Sequence, residues 1–170
     1  MKKVVFITAP SVFRDEEYAK PKKILEDAGI KVVTASTKKG EITGKLGMKA
    51  VSDMTLNEIN PDDFDAIVYI GGAGSSVFFE NAEALKLANS FFSSGKLTTA
   101  ICSAPVILAN AGILKGKTAT VFPNDAKALL KGEANYTASP LEIDGNIITA
   151  NGVEAAEIFG QEILKAIECL

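Results

Sequence analysis

Runs of β-branched and apolar residues alternate along this chain with stretches whose apolar positions recur at helical spacing. Lys3–Thr8 reads as a buried strand. Asp15–Ala28 predicts a helix, with Tyr18, Ile24, Leu25 and Ala28 as its apolar stripe and Gly29 as its stop. Pro21 falls inside that helix and removes the N–H that would bond the Glu17 carbonyl. A kink accepted there suggests that the position of Glu17 matters; a plain kink near the helix start is the simpler reading. Lys31–Ser36 is a second strand, and Gly40–Val51 a small hairpin or irregular excursion. Leu56–Ile59 is a helical turn broken by Asn60-Pro61. Asp65–Ile70 is a buried strand that runs straight into Gly71-Gly72-Ala73-Gly74. Glu80–Ser94 predicts an amphipathic helix ended by Gly95. Thr98–Cys102 reads as a strand that passes almost without a loop into a helix, Ala104–Ala111. Ser103 is suited to cap that helix and Pro105 to sit in its first turn. Thr118–Val121 is a strand, Asp125–Leu130 a short helix closed by Gly132, Leu141–Ala150 a hairpin around Asp144-Gly145, and Val153–Ile167 the closing helix.

Strands that alternate with helices predict a mainly parallel sheet with helices on both faces, joined by right-handed crossovers. The expected fold is α/β, a flavodoxin-like three-layer α/β/α sandwich. With 170 residues, 47% hydrophobic and 23% charged, the chain has the makeup of one ordinary globular domain. Lys2 and Lys3 before Val4–Ile7 look superficially like a secretion signal, but the apolar run is short and Pro10, Arg14 and Asp15 follow at once. A cytoplasmic protein that meets no membrane is expected.

Charge narrows the partners. The net charge is −3, and Arg14 is the only arginine. The planar fork favoured for phosphate and base recognition is thus nearly absent, and nucleic acid is not an expected partner. The chain has no histidine. That removes the usual base for a Ser or Cys nucleophile and the commonest zinc ligand. Cys102 and Cys169 lie far apart, so neither a metal site nor a cofactor is implied.

Three segments leave the carboxyl ends of inferred parallel strands: Ala9–Asp15, Gly71–Ser76 and Cys102–Pro105. In such a sheet these ends share one edge, where ligands bind. Together they offer a carboxylate in Glu17, backbone N–H groups at Gly71 and Gly72, and the Cys102 thiol. A nucleophile with an acid and an oxyanion hole would make a cysteine enzyme. The same residues also have plain readings. A lone cysteine in an apolar strand is often packing, a Gly-Gly turn is often only a turn, and Asp15-Glu16-Glu17 can simply complement the helix dipole. The residues alone leave both readings open.

Taken together, the segments resemble the ThiJ/PfpI superfamily, the group of intracellular peptidases, glyoxalases and deglycases. The resemblance rests on Ala100-Ile101-Cys102-Ser103-Ala104-Pro105, on Gly71-Gly72 after a buried strand, on Phe13-Arg14-Asp15-Glu16-Glu17-Tyr18 with Pro21 beyond it, and on Thr43-Gly44-Lys45. It spans residues 1–170 as a single domain. It implies Cys102 as nucleophile on a strained strand–helix elbow, Glu17 as its acidic partner, and the N–H groups of Gly72 and Ser103 as oxyanion donors. Gly71, Phe122 and Asn151 would line the pocket. Protonated Glu17 beside a Cys102 thiolate is the expected charge state, with the two titrating as a unit. A homo-oligomer, dimer or larger, is implied as well.

The departures from the family pattern are equally specific. Ser103 stands where peptidase-like members carry histidine, and Ser76 falls near the place of their inter-subunit glutamate. Phe122 precedes Pro123 where deglycase-like members have histidine, and Asn151 replaces an arginine of many members. A Cys-His-Glu triad cannot be built. The reading that survives is cysteine-dependent chemistry on small reactive carbonyls, glyoxalase- or deglycase-like, through Cys102 and Glu17. Its alternatives are a redox or stress sensor that works through Cys102 oxidation, a PfpI-type peptidase or amidase, and a non-catalytic binding module. The partners expected are accordingly a small carbonyl substrate or an oxidant.

Overall fold

The computed structural model describes residues 1–170. Its strands are β1 (Lys3–Ile7), β2 (Ser11–Phe13), β3 (Lys31–Ser36), β4 (Gly40–Gly44), β5 (Lys49–Ser52), β6 (Met54–Thr55), β7 (Ala66–Tyr69), β8 (Leu97–Ile101), β9 (Thr118–Ala119), β10 (Asn135–Tyr136), β11 (Leu141–Asp144) and β12 (Ile147–Ala150). Its α-helices are α1 (Asp15–Asp27), α2 (Ala82–Ser93), α3 (Pro105–Asn110), α4 (Ala126–Lys131) and α5 (Ala156–Glu168). No helix is long and apolar enough to cross a membrane.

The main sheet has seven strands in the order β11-β12-β8-β7-β1-β3-β6. Only β11 runs antiparallel to its neighbour. The central strands explain themselves. Val4–Ile7, Ala66–Tyr69 and Leu97–Ile101 are buried throughout, as continuous apolar or β-branched runs are when both faces of a parallel sheet are covered. One face packs on α2, α3 and α4 through Leu87, Phe91, Ile107 and Leu129. The other packs on α1 and α5 through Tyr18, Leu25, Phe159 and Ile163. This is the three-layer sandwich that the alternation of elements predicts.

Several elements differ from the sequence reading. In α1 the buried positions are Asp15, Glu17, Tyr18, Pro21 and Leu25, whereas Ala28 is exposed and Ile24 only half-buried. Pro21 sits at the crossing with α5, where a Cβ on Gly160 would stand 2.8 Å from the Pro21 Cα. The proline therefore has a packing role besides any effect on Glu17. The C-terminal hairpin turns one residue later than expected: Asp144 pairs with Ile147, so Gly145 and Asn146 form the loop, and Gly145 takes the left-handed φ of 60°. The sequence pattern gives no sign of the short strand β2. It runs parallel to β4, which pairs antiparallel with β5, and this small second sheet lies beside the carboxyl edge of the main one.

Candidate functional site

The chain leaves β1, β7 and β8 on adjacent lines of the sheet, and the three segments that follow meet above its carboxyl edge. Cys102 follows β8 directly. It has φ +63°, a left-handed conformation that costs a side-chain-bearing residue about 1–2 kcal/mol. Hydrogen bonds on both sides hold it there. The Cys102 N–H donates to the Ala150 carbonyl at 2.9 Å, and the Cys102 carbonyl accepts from the Phe122 N–H at 2.7 Å. The elbow is thus fixed by β12 and by the turn before α4, rather than by its own residue preference. Because alanine keeps the strain and glycine relieves it, Cys102→Gly is expected to be about 1 kcal/mol more stable than Cys102→Ala in urea unfolding.

Ser103 does not cap the next helix. Ala104 occupies the N-cap position in an α conformation, without a side-chain cap, and Pro105 opens the helix. The direct passage from elbow to helix leaves no extended residue from which a hydroxyl could reach back. Ser103 instead lines the cavity in front of Cys102.

Glu17 enters from the first turn of α1. It is 1% exposed, and neither carboxyl oxygen has a well-aligned hydrogen-bond partner. Burial is the main influence on it and raises its pKa to about 7; the Cys102 thiol is the polar group that acts on it most strongly. Cys102 is pushed up to about 12, first by burial and then by the negative charge of Glu17, against the Gly72 N–H, which lowers it. The expected resting thiolate is therefore not what this environment favours. Helix α3 has only six residues, and burial is the largest influence on the sulfur. Below about pH 7 both groups hold their protons; above it the pair carries one negative charge and one proton.

Gly71 is not part of the cavity lining. It lies beneath it, between the two groups: a Cβ there would stand 2.5 Å from Cys102 Cβ and 2.6 Å from Glu17 Oε1, and would run into the Ile101 carbonyl oxygen. Gly72 has φ +102° and meets the backbone of Val12 and Arg14 on its own Cα side, with Arg14 N 2.5 Å from where a Cβ would be. Among the turn and loop hydrogen bonds, no carbonyl takes the N–H of Gly72 or of Ser103. The Gly72 N–H is turned toward the Cys102 sulfur instead, and the Ser103 N–H is left without a carbonyl partner.

The cavity in front of Cys102 measures about 600 Å³ and is open to solvent. Glu17, Gly72, Cys102, Ser103, Phe122 and Asn151 all line it, so every residue expected at the site is there except Gly71. The sequence reading missed Arg14, Lys45, Asp125 and Glu154, which also line it. Two of these carry a signal: Arg14 is the lone arginine, and Lys45 ends the Thr43-Gly44-Lys45 stretch. Lys45 is held over the cavity by Asp15, whose carboxylate accepts from the N–H groups of Leu46 and Met48 at 3.1 Å each. A Cβ on Gly44 would collide with the Asp15 carboxylate, so that turn requires glycine. A second hollow, between α1 and β5, is lined by Lys22, Lys23 and Lys49. Their charges are already matched by Glu26, Asp27 and Glu41, and no nucleophile faces it.

Comparison with known proteins agrees with this fold. The model of the DJ-1/PfpI family matches residues 2–166. A protein of Methanocaldococcus jannaschii is 45% identical over 98% of this chain and 82% of its own length. The deglycase PH1704 of Pyrococcus horikoshii is 34% identical over 98% of this chain and 99% of its own. Among solved structures, a ThiJ/PfpI domain protein of Brachyspira murdochii superimposes with a TM-score of 0.97 at 33% identity, over 99% of this chain and 97% of that one.

Proposed function

The chain belongs to the DJ-1/PfpI family, and from that premise we propose that it is a cysteine-dependent enzyme acting on small reactive carbonyls such as α-oxoaldehydes. The observation that carries the proposal is the pairing of Cys102 with Glu17. The carboxyl is almost wholly buried, has no other bonding partner, and meets the thiol in a cavity that solvent can enter. A carboxyl with that environment and a pKa of about 7 is suited to take a proton from a thiol during attack and return it later. A deglycase among the relatives points the same way.

In this mechanism the Cys102 thiol gives its proton to the Glu17 carboxylate as the sulfur adds to the aldehyde carbon. The C–S bond forms, the C=O π bond breaks, and the resulting oxyanion is met by the N–H group of Ser103. Glu17 then protonates that oxygen, which gives a hemithioacetal. Glu17 next removes the hydrogen on the sulfur-bearing carbon, and a proton is delivered to the neighbouring carbonyl carbon through the enediol. The product is a thioester of a 2-hydroxy acid. Water hydrolyses it and restores the thiol. For methylglyoxal the balance is one water consumed and one lactic acid formed.

Amide hydrolysis asks for more, because its leaving amine must be protonated and its carbonyl is less reactive. With Ser103 in place of a histidine, peptidase activity is disfavoured. Oxidative sensing through a low-pKa thiolate is disfavoured too, since burial raises the thiol. The direct test is to follow methylglyoxal with the protein by proton NMR. Lactate is expected to accumulate in proportion to the protein with unmodified Cys102, and iodoacetamide-treated protein to give the buffer rate. Equal rates with and without alkylation would overturn the proposal.

A further inference from the structure

Glu17 and Cys102 together must carry a negative charge in a site that gives the carboxyl no aligned hydrogen bond. Something else has to make that charge tolerable. The charged residues around the pair come from four directions. Arg14 and Glu16 stand at the start of α1, Lys45 on the turn after β4, Asp125 at the start of α4, and Glu154 on the turn before α5. Asp125 and Glu154 carry the wrong sign. Lys45 is exposed to water, which screens its charge.

Arg14 differs in being fixed. Its backbone N–H donates to the Gly71 carbonyl at 3.0 Å, which ties it to the glycine wedged between Glu17 and Cys102. Its guanidinium is gripped by Glu16, with Nε and Nη2 each 3.1 Å from a carboxylate oxygen. The two-point grip sets the plane of the fork and still leaves N–H groups unclaimed. We infer that Arg14 is a positioning residue: held by Glu16 over the cavity, it is the counter-charge that lets the buried Glu17–Cys102 pair ionise. The reciprocal influences agree in sign, Arg14 lowering Glu17 while Glu17 and Cys102 raise Arg14. Glu16 acts on Glu17 in the opposite direction.

The inference deepens the proposed reaction, but its test does not depend on turnover. Cys102 is alkylated by iodoacetamide across pH 5–10 in the full chain carrying Cys169→Ser, and intact mass gives the rate at each pH. Arg14→Gln is expected to move the midpoint of the profile up by about one unit, a roughly tenfold slower reaction at a fixed pH below it. Arg14→Lys is expected to keep most of the wild-type position. A thermal melt of each variant reports folding; should Arg14→Gln fold poorly, Arg14→Met, which keeps the apolar stem without the charge, is read in its place with the same expectation. Superimposable profiles for wild type and the uncharged variant would overturn the inference, as would equal shifts for Arg14→Lys and the uncharged variant. If the shifts occur but methylglyoxal is not consumed, the proposed reaction fails and the role of Arg14 stands.

Discussion

Glu17→Gln is expected to stabilise the protein at pH 8 and to cripple it. The carboxyl has a pKa of about 7 when folded against 4.5 for an unburied glutamate, because burial penalises the charged form. Below pH 4.5 the group is protonated in both states and costs nothing. Between about 4.5 and 7 the unfolded chain releases its proton while the native one keeps it, so stability falls as pH rises through that window. It levels off above about 7. The shift corresponds to a loss on the order of 3 kcal/mol. The side-chain amide of the variant cannot ionise, so its urea midpoints should stay flat across the window in which the wild type weakens, apart from the other ionisable groups. Activity should go the other way. Carbonyl consumption by the wild type should climb through about pH 7 as Glu17 becomes able to accept the thiol proton. In the variant it should be lower by about 10²–10⁴, the usual worth of a positioned base. A variant that is no more stable than the wild type at pH 8, or that keeps its rate, would show that the carboxyl is not a strained base.

The second large effect belongs to Gly71. Alanine there has no space: its methyl would press on the Ile101 carbonyl, the Cys102 side chain and the Glu17 carboxyl together. One of these contacts is main chain in a central strand, so the neighbours cannot simply swing aside. Gly71→Ala is expected to cost at least about 3 kcal/mol, the upper range for overpacking, or roughly 10 °C in melting temperature for a chain of this size. What folds should hold Cys102 and Glu17 apart. Gly95→Ala is the control. Gly95 has φ +79° with nothing within 4 Å of a new Cβ, so it should lose only the left-handed penalty of about 1 kcal/mol. Equal melting temperatures for the two variants would contradict the wedge.

How much of this can be read from the sequence depends on whether the property is local. The strands β1, β3, β7 and β8 are legible because burial on both faces leaves continuous apolar runs, and Cys102 at the end of one is legible because a parallel sheet gathers such ends. Glu17 needs the family resemblance: three acids in a row do not say which one turns inward. The Ser103 cap fails because capping assumes an extended residue at the N-cap, and here Ala104 holds that position in an α conformation. The state of the thiol fails for a related reason. A helix N-terminus is visible in sequence, but the loss of water around the sulfur comes from distant segments closing over it. Strand β2 is hidden because Ser11-Val12-Phe13 is short and Val12 takes a φ of 56°, which a β-branched residue gives no hint of. Arg14 is conspicuous as the lone arginine, but in sequence it speaks only against nucleic acid; its place at the site depends on the fork that Glu16 holds.

The two hydrogen bonds that hold the Cys102 elbow also set an order of assembly. Glu17, Gly72 and Cys102 come from the first two-thirds of the chain, and the pairing of β1, β7 and β8 is enough to bring them near one another. The bonds that fix the left-handed turn come from Phe122 and Ala150, which are synthesised later. A chain still emerging from the ribosome, or one clipped before its last hairpin, would contain Glu17, Gly72 and Cys102 without the bonds that fix their geometry. The thiol becomes a directed nucleophile only when the C-terminal part of the sheet docks, so maturation of the fold acts as a check on when the chemistry begins.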